Sequence, residues 1–109
     1  ESEFEKIGLT PQMTDQVKAP YVLESHIKLG MQVQDIQLLA INQTELVIGQ
    51  IVEVILEPQW VSDDGYVDLE AAESVAISSL DSYHSTQRIA RYGYAKANEK
   101  LLTIPVNKA

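Results

Sequence analysis

The segment ELVIGQIVEVILEP, residues 45–58, constrains the fold more than any other part of the chain. In an extended strand, Leu46, Ile48, Val52, Val54 and Leu56 share one face, interrupted by Gln50. The other face carries Val47, Gly49, Ile51, Glu53, Ile55 and Glu57. Such a strand is rich in β-branched residues and nearly apolar on both sides at its middle, so it needs cover on both faces. Gly49 leaves room for a backbone or ligand to approach, and Pro58 ends the pairing. Upstream, Ile27, Leu29, Met31 and Val33 alternate with polar residues from His26 onward, a period of two. The phase then slips to Ile36 and Leu38, which predicts a bulge or bend near Asp35. Asn42-Gln43-Thr44 is a turn that joins the two segments into a long hairpin.

The remaining sequence supplies few partners for this hairpin. Ser2 and Glu5 have capping-box spacing, Gly8 can end a short helix in the left-handed conformation, and Pro11 blocks its return. Pro20 biases Ala19 toward extended geometry. Asp64-Gly65 marks a tight turn, and Asp68 caps a short helix through Ser74. Val75 and Ile77 predict a short strand, LLTIPV at 101–106 a final strand or arm, and Trp60 is read as a packing anchor or interface residue. The 109 residues are enough for one domain. The inventory is mainly β with short helices, and an isolated hairpin is marginal in water. A partner chain, or another part of the same domain, is therefore expected to cover the strands.

The net charge of −8 argues against non-specific nucleic-acid binding. Residues 1–81 sum to −12 and residues 82–109 to +4, and both arginines, Arg88 and Arg91, fall in the basic part. An acidic chain that gathers its arginines either builds an anion site or complements acidic neighbours in its own fold. No apolar run reaches the ~20 residues of a membrane span, and no secretory leader is present, which points to the cytoplasm. Without Cys, and with two His, neither a disulfide framework nor a catalytic metal is expected. No glycine-rich phosphate loop occurs, so neither a dinucleotide fold nor a P-loop is supported.

Four stretches, in order, resemble one family: SEFEKIGLTP, APYVLESHIKL, LVIGQIVEVIL and DDGYVDLEAAESVAISSLDSYHSTQRIARYGYAK. Glu24-Ser25 matches a Glu-Ser or Glu-Cys pairing, and Gly49 and Glu53 fall in a strand similar to an hxGxVxxh segment. SLDSYHSTQRIARYGYAK resembles Gly-Leu-Asp-x-Tyr followed by Ile-Ala-Arg-Leu-x-Tyr-Ala-Lys-Pro, with Ser79 in place of the Gly and Ala97 in place of the Pro. The family is the flavin reductase-like, FMN-binding split-barrel family. The resemblance covers nearly the whole chain and implies the C-terminal part of an FMN-binding split β-barrel, a Greek-key barrel. Residues 1–109 would form a single partial domain, with the upstream half absent.

The resemblance further implies a homodimeric flavoprotein, or a strand-exchanged oligomer, that binds FMN and moves hydride from NADH or NADPH to flavin. Arg88 and Arg91 fit the FMN phosphate, because a guanidinium fork matches it. On a helix, His84 and Arg88 would share a face with Arg91. The other reading pairs the arginines with acids such as Asp81. Tyr83 and His84 are expected to stack on, or hydrogen-bond to, the flavin or the second substrate, with His84 as proton donor. Their bland alternatives are packing for Tyr83 and a surface role for His84. Tyr92 and Tyr94, beside Lys96, are read as barrel or dimer packing, and His26 as exposed. The rival to a flavoprotein is a non-enzymatic β-rich module that dimerises or interacts through open strand edges. A heme- or pyridoxine-linked relative on the same barrel is a third reading, disfavoured by Leu80-Asp81-Ser82-Tyr83.

Overall fold

The computed structural model describes residues 2–105. Glu1, Val106 and Lys108, which entered the sequence reading, lie outside them. The chain is mainly β and divides into two units, Glu1–Leu56 and Glu57–Ala109.

The first unit opens on helix α1, Glu3–Ile7, which Gly8 ends at φ 72° while Leu9 N–H reaches the Phe4 carbonyl at 3.1 Å. Ser2 has the extended backbone of a cap but makes no side-chain cap hydrogen bond, so the expected capping box does not form. A five-residue helix with no buried residue has solvent at its first amides and needs no side-chain acceptor. Strand β1, Pro11–Gln12, pairs antiparallel with β2, Tyr21–Val22. Both carboxylate oxygens of Glu24 accept the Thr10 N–H, at 2.9 and 3.1 Å, which ties the chain after β2 to the approach of β1. This contact gives the Glu24 of the resemblance a structural task.

Strands β3, Lys28–Leu39, and β4, Thr44–Ile55, form the long antiparallel hairpin. The strand begins at Lys28, two residues after the expected start at His26. The expected bulge is present: Val33 faces Gly49 and Asp35 faces Ile48, which leaves Gln34 as the extra residue. It restores Ile36 and Leu38 to the phase of Leu29, Met31 and Val33. A second irregularity leaves Val52 between the pairs Gly30–Glu53 and Met31–Ile51. At the tip, Gln43 takes φ 58° and the Thr44 hydroxyl donates to Asn42 Oδ1 at 2.6 Å, as turn chemistry at these residues requires.

The middle of β4 is not buried by the described residues, contrary to the two-sided burial read from its sequence. Ile48, Ile51 and Val52 are 43%, 52% and 40% exposed. A two-stranded ribbon has nothing to place against either face, so the sequence encodes a burial that this unit does not itself supply. Among the described residues, the buried hydrophobic ones are Tyr21 in this unit and Ala72 in the other. The Tyr21 hydroxyl donates to Glu53 Oε1 at 2.8 Å, and the Thr14 hydroxyl donates to the same oxygen at 2.7 Å. Burial, and then the Glu53 carboxylate, push the Tyr21 phenol above its ordinary pKa.

The second unit starts with a 3-10 turn, Pro58–Trp60, that places Pro58 where its missing N–H costs nothing. Val61 bridges Val67 across a tight turn in which Gly65 takes φ 85°. Asp68 caps the next turn through Glu70 N–H and Ala71 N–H at 3.2 and 3.1 Å. The short helix expected there does not form: residues 69–73 are a turn, which Glu73 ends in the left-handed conformation at φ 59°. Strands β5, Val75–Ser78, and β6, Ser82–Ser85, form a hairpin, and β7, Arg91–Tyr92, pairs with β8, Thr103–Ile104. The expected terminal strand is thus present over two residues. Among the described residues no helix is long and apolar enough to cross a membrane.

Gly30 is where a side chain would be most disruptive. A Cβ there would overlap the Tyr21 hydroxyl and a Val17 methyl. Gly30→Ala is expected to lower stability by about 1–3 kcal/mol, the range for overpacking. The loss would appear as a lower urea midpoint and faster amide exchange in β2 and β3. An unchanged midpoint would show that the Tyr21–Glu53 contact does not order this unit.

Candidate functional site

The functional residues expected from sequence all fall in the second unit, and its local turns decide how they group. Gly65 N–H donates to the Ser62 carbonyl and Ser62 N–H to the Tyr66 carbonyl, both at 2.9 Å. Tyr66 N–H donates to Asp64 Oδ1 at 3.1 Å, an Asx turn. The result fixes Asp64, Tyr66 and Asp68 as neighbours on one short loop.

Arg88 and Arg91 meet on this loop. The Arg91 guanidinium carbon lies 3.8 Å from the Tyr66 ring centroid and that of Arg88 5.5 Å from it. Arg91 Nη2 donates to Asp64 Oδ2 at 2.7 Å, while Arg88 Nη1 donates to the Tyr66 hydroxyl at 3.0 Å and reaches Asp68 Oδ1 at 3.5 Å. Two cations can share this space because an aromatic face and two carboxylates answer them. The arginine side chains are 17% and 15% exposed for Arg88 and Arg91. The Arg91 hydrogen bond holds the Asp64 carboxyl below the ordinary Asp range. Asp68 is held low as well, first by the Ala71 N–H and also by Arg88. The acids that pair with the arginines are Asp64 and Asp68; Asp81, the partner named from sequence, lies in the β5–β6 turn instead.

The helix expected to align His84, Arg88 and Arg91 does not form. Residues 82–85 are strand β6, and between 86 and 94 only 91–92 are regular. Tyr83 pairs with Ile77 and His84 with Ala76, so the pull of cross-strand partners on a hairpin outweighs any local i, i+4 spacing. Tyr66, not a helix face, unites the two arginines. Successive residues of a strand point to opposite faces, so Tyr83 lies with Val75 and Ile77, and His84 with Ala76 and Ser78. Ser79 adopts φ 56° in the intervening turn, a conformation that explains why the resembling pattern has glycine there. Tyr92 and Tyr94 are 55% and 90% exposed.

In the first unit, a cleft of about 510 Å³ is lined by Val17, Lys18, Met31, Val33 and Val52 among others. It gathers no pair of groups suited to acid–base chemistry.

Sequence reasoning missed Tyr66 altogether and read Asp64 and Asp68 only as turn and cap residues. The available signal was their spacing: acid, aromatic and acid at alternate positions opposite a pair of arginines. Because the folded-state pKa of Asp64 is depressed, its stabilising contribution is complete above the unfolded Asp pKa, about 3.9, and disappears as pH falls through the lower folded value. Acidification below about pH 4 is therefore expected to lower the amide protection factors at 62–66, the intrinsic pH dependence of exchange being divided out, and Asp64→Asn to lower them likewise at neutral pH. Protection factors in the unsubstituted chain that do not fall with acid would contradict this linkage.

No family model and no curated protein matches the chain. Two solved structures do. One, from Shewanella frigidimarina NCIMB 400, is described as a flavin reductase with a split barrel domain; it is 47% identical over 87% of this chain, with a TM-score of 0.83. The other is the flavoredoxin of Desulfovibrio vulgaris (Miyazaki F), 26% identical over 90% of this chain, with a TM-score of 0.66. The chain spans about half of either protein, 48% and 49%. This identity and TM-score show the fold: over about half the length of the relatives, the chain is similar to flavin reductase-like split-barrel proteins.

Proposed function

We propose that this chain is part of an FMN-binding flavoprotein that passes hydride from NADH or NADPH to flavin. The observation that carries the reading is the 47% identity, with a TM-score of 0.83, to a protein described as a flavin reductase. The likeness to a flavoredoxin agrees in cofactor type, and neither favours a non-enzymatic interaction module. Bound FMN would supply a ring that accepts hydride and passes electrons on.

The donor set fits an anionic, planar ligand in kind. Arg88 and Arg91 each engage their protein partners through a single Nη, and each guanidinium has further N–H donors for phosphate oxygens. Asp64 and Asp68 hold the two forks in place but also oppose an anion, so the arginines must supply the larger field. Among the described residues β6 pairs only with β5, which leaves its outer edge open. Tyr83 and His84 straddle that edge on opposite faces. A ring lying along the edge can meet the Tyr83 side chain on one side and the His84 imidazole on the other. His84 then serves as the proton donor.

The uncovered apolar surface supports completion by further polypeptide. Two separate compact bodies of half this mass would together expose about 7,300 Å². The chain exposes 9459 Å². The excess, about 2,000 Å², matches what one partner buries in a permanent interface. In our reading the rest of the barrel and a second copy, as homodimer or strand-exchanged oligomer, cover β3 and β4.

Titration with FMN tests the site. The chain alone is expected to bind weakly or not at all, and a polypeptide extended to the length of the two relatives to bind and turn yellow. In the latter, Arg91→Ala is expected to weaken binding at least tenfold, as loss of a charge-assisted hydrogen bond does. Equally tight binding by the chain alone would show that the site is misplaced. Sedimentation of the chain alone is expected to show concentration-dependent assembly; a monomer that melts cooperatively at every concentration would refute the need for a cover.

A further inference from the structure

The polar face of the β5–β6 hairpin carries a contact that the flavin reading does not use. Ser78 Oγ and His84 Nε2 lie 2.9 Å apart. The register explains the meeting: Ser78 faces Ser82 and Ala76 faces His84, so Ser78 and His84 are diagonal neighbours on one face. The turn between them is closed by Ser79 in a left-handed conformation, which fixes the register that sets this diagonal.

We propose that Ser78 is a positioning residue for His84: its hydroxyl donates to Nε2 and so leaves Nδ1–H as the nitrogen that faces a ligand. A neutral imidazole has one donor and one acceptor nitrogen, and the partner of one nitrogen sets the state of the other. With Nε2 committed as acceptor, Nδ1 carries the proton. A neutral histidine that offers a hydrogen bond to a ligand at the edge of β6 needs its N–H on the nitrogen that is not tied to the protein. The positioning itself stands on the hairpin geometry, and its use rests on the flavin reading given above.

Long-range ¹H–¹⁵N spectra of the labelled chain test this, recorded near pH ~8 where an ordinary His is neutral. The Nδ1–H tautomer is expected to dominate at His84. Ser78→Ala is expected to shift the tautomer ratio about fivefold toward Nε2–H, the effect of one lost hydrogen bond, and Ser78→Thr to restore it. In a preparation that binds FMN, Ser78→Ala is expected to lower the kcat of flavin reduction at unchanged KM, with rescue by Ser78→Thr. A dominant Nε2–H tautomer in the unsubstituted chain, or a ratio unmoved by Ser78→Ala, overturns the proposal. A ratio that moves while His84→Gln leaves flavin reduction intact overturns instead the assignment of His84 to flavin chemistry. The two failures are thus distinguishable.

Discussion

The antiparallel ladder between β3 and β4 is the constraint on which the first unit depends. Eleven residue pairs join the two twelve-residue strands, and the bulge at Gln34 keeps the apolar side chains of β3 in one phase across the bend. A ladder satisfies backbone donors and acceptors but covers neither face of the ribbon. The ribbon is anchored at one end, where Gly30 lets Tyr21 reach Glu53 and where Thr14 joins the same carboxylate oxygen. Elsewhere its isoleucines, leucines and valines face outward. The physical demand of such a surface is a second layer, and a half-length match to split-barrel proteins is consistent with that demand.

In the second unit a different interaction has the central place. Tyr66 receives one guanidinium over its ring, 3.8 Å from the centroid, and a hydrogen bond from another at its hydroxyl. Asp64 and Asp68, which shape the backbone through their Asx contacts, also hold the arginines by charge. One loop of five residues thereby converts two arginines, one on an irregular segment and one at the start of β7, into a paired set. Orientation matters for anion recognition because a guanidinium presents its donors in a plane, and a plane held by stacking loses less entropy on binding than a free one.

The two halves of the proposed site differ in how they are built. The arginines are held by side-chain chemistry within a loop, whereas Tyr83 and His84 are placed by strand alternation. Alternation separates them by face, so the open edge of β6 is the only place where both can border one ligand. The Ser78–His84 contact belongs to the same logic: a register one residue different would move His84 to the apolar face and leave the hydroxyl without it.

Much of this architecture was legible in the sequence. Period-two alternation, the slip near Asp35, the Asn42-Gln43-Thr44 turn and the glycines at 8 and 65 are local signals, each fixed by backbone sterics or side-chain spacing within a few residues, and each appears in the structure. The family could be read as well, because its signature stretches lie in order along the chain. What the sequence could not determine were the partners brought together from afar. A helix for 84–91 satisfied local spacing, yet pairing with Val75–Ser78 made 82–85 a strand. The acids opposite Arg88 and Arg91 lie twenty or more residues upstream, as does Tyr66. Only the folded loop puts an aromatic face beneath both cations, since contact across such distances depends on chain closure and not on propensity.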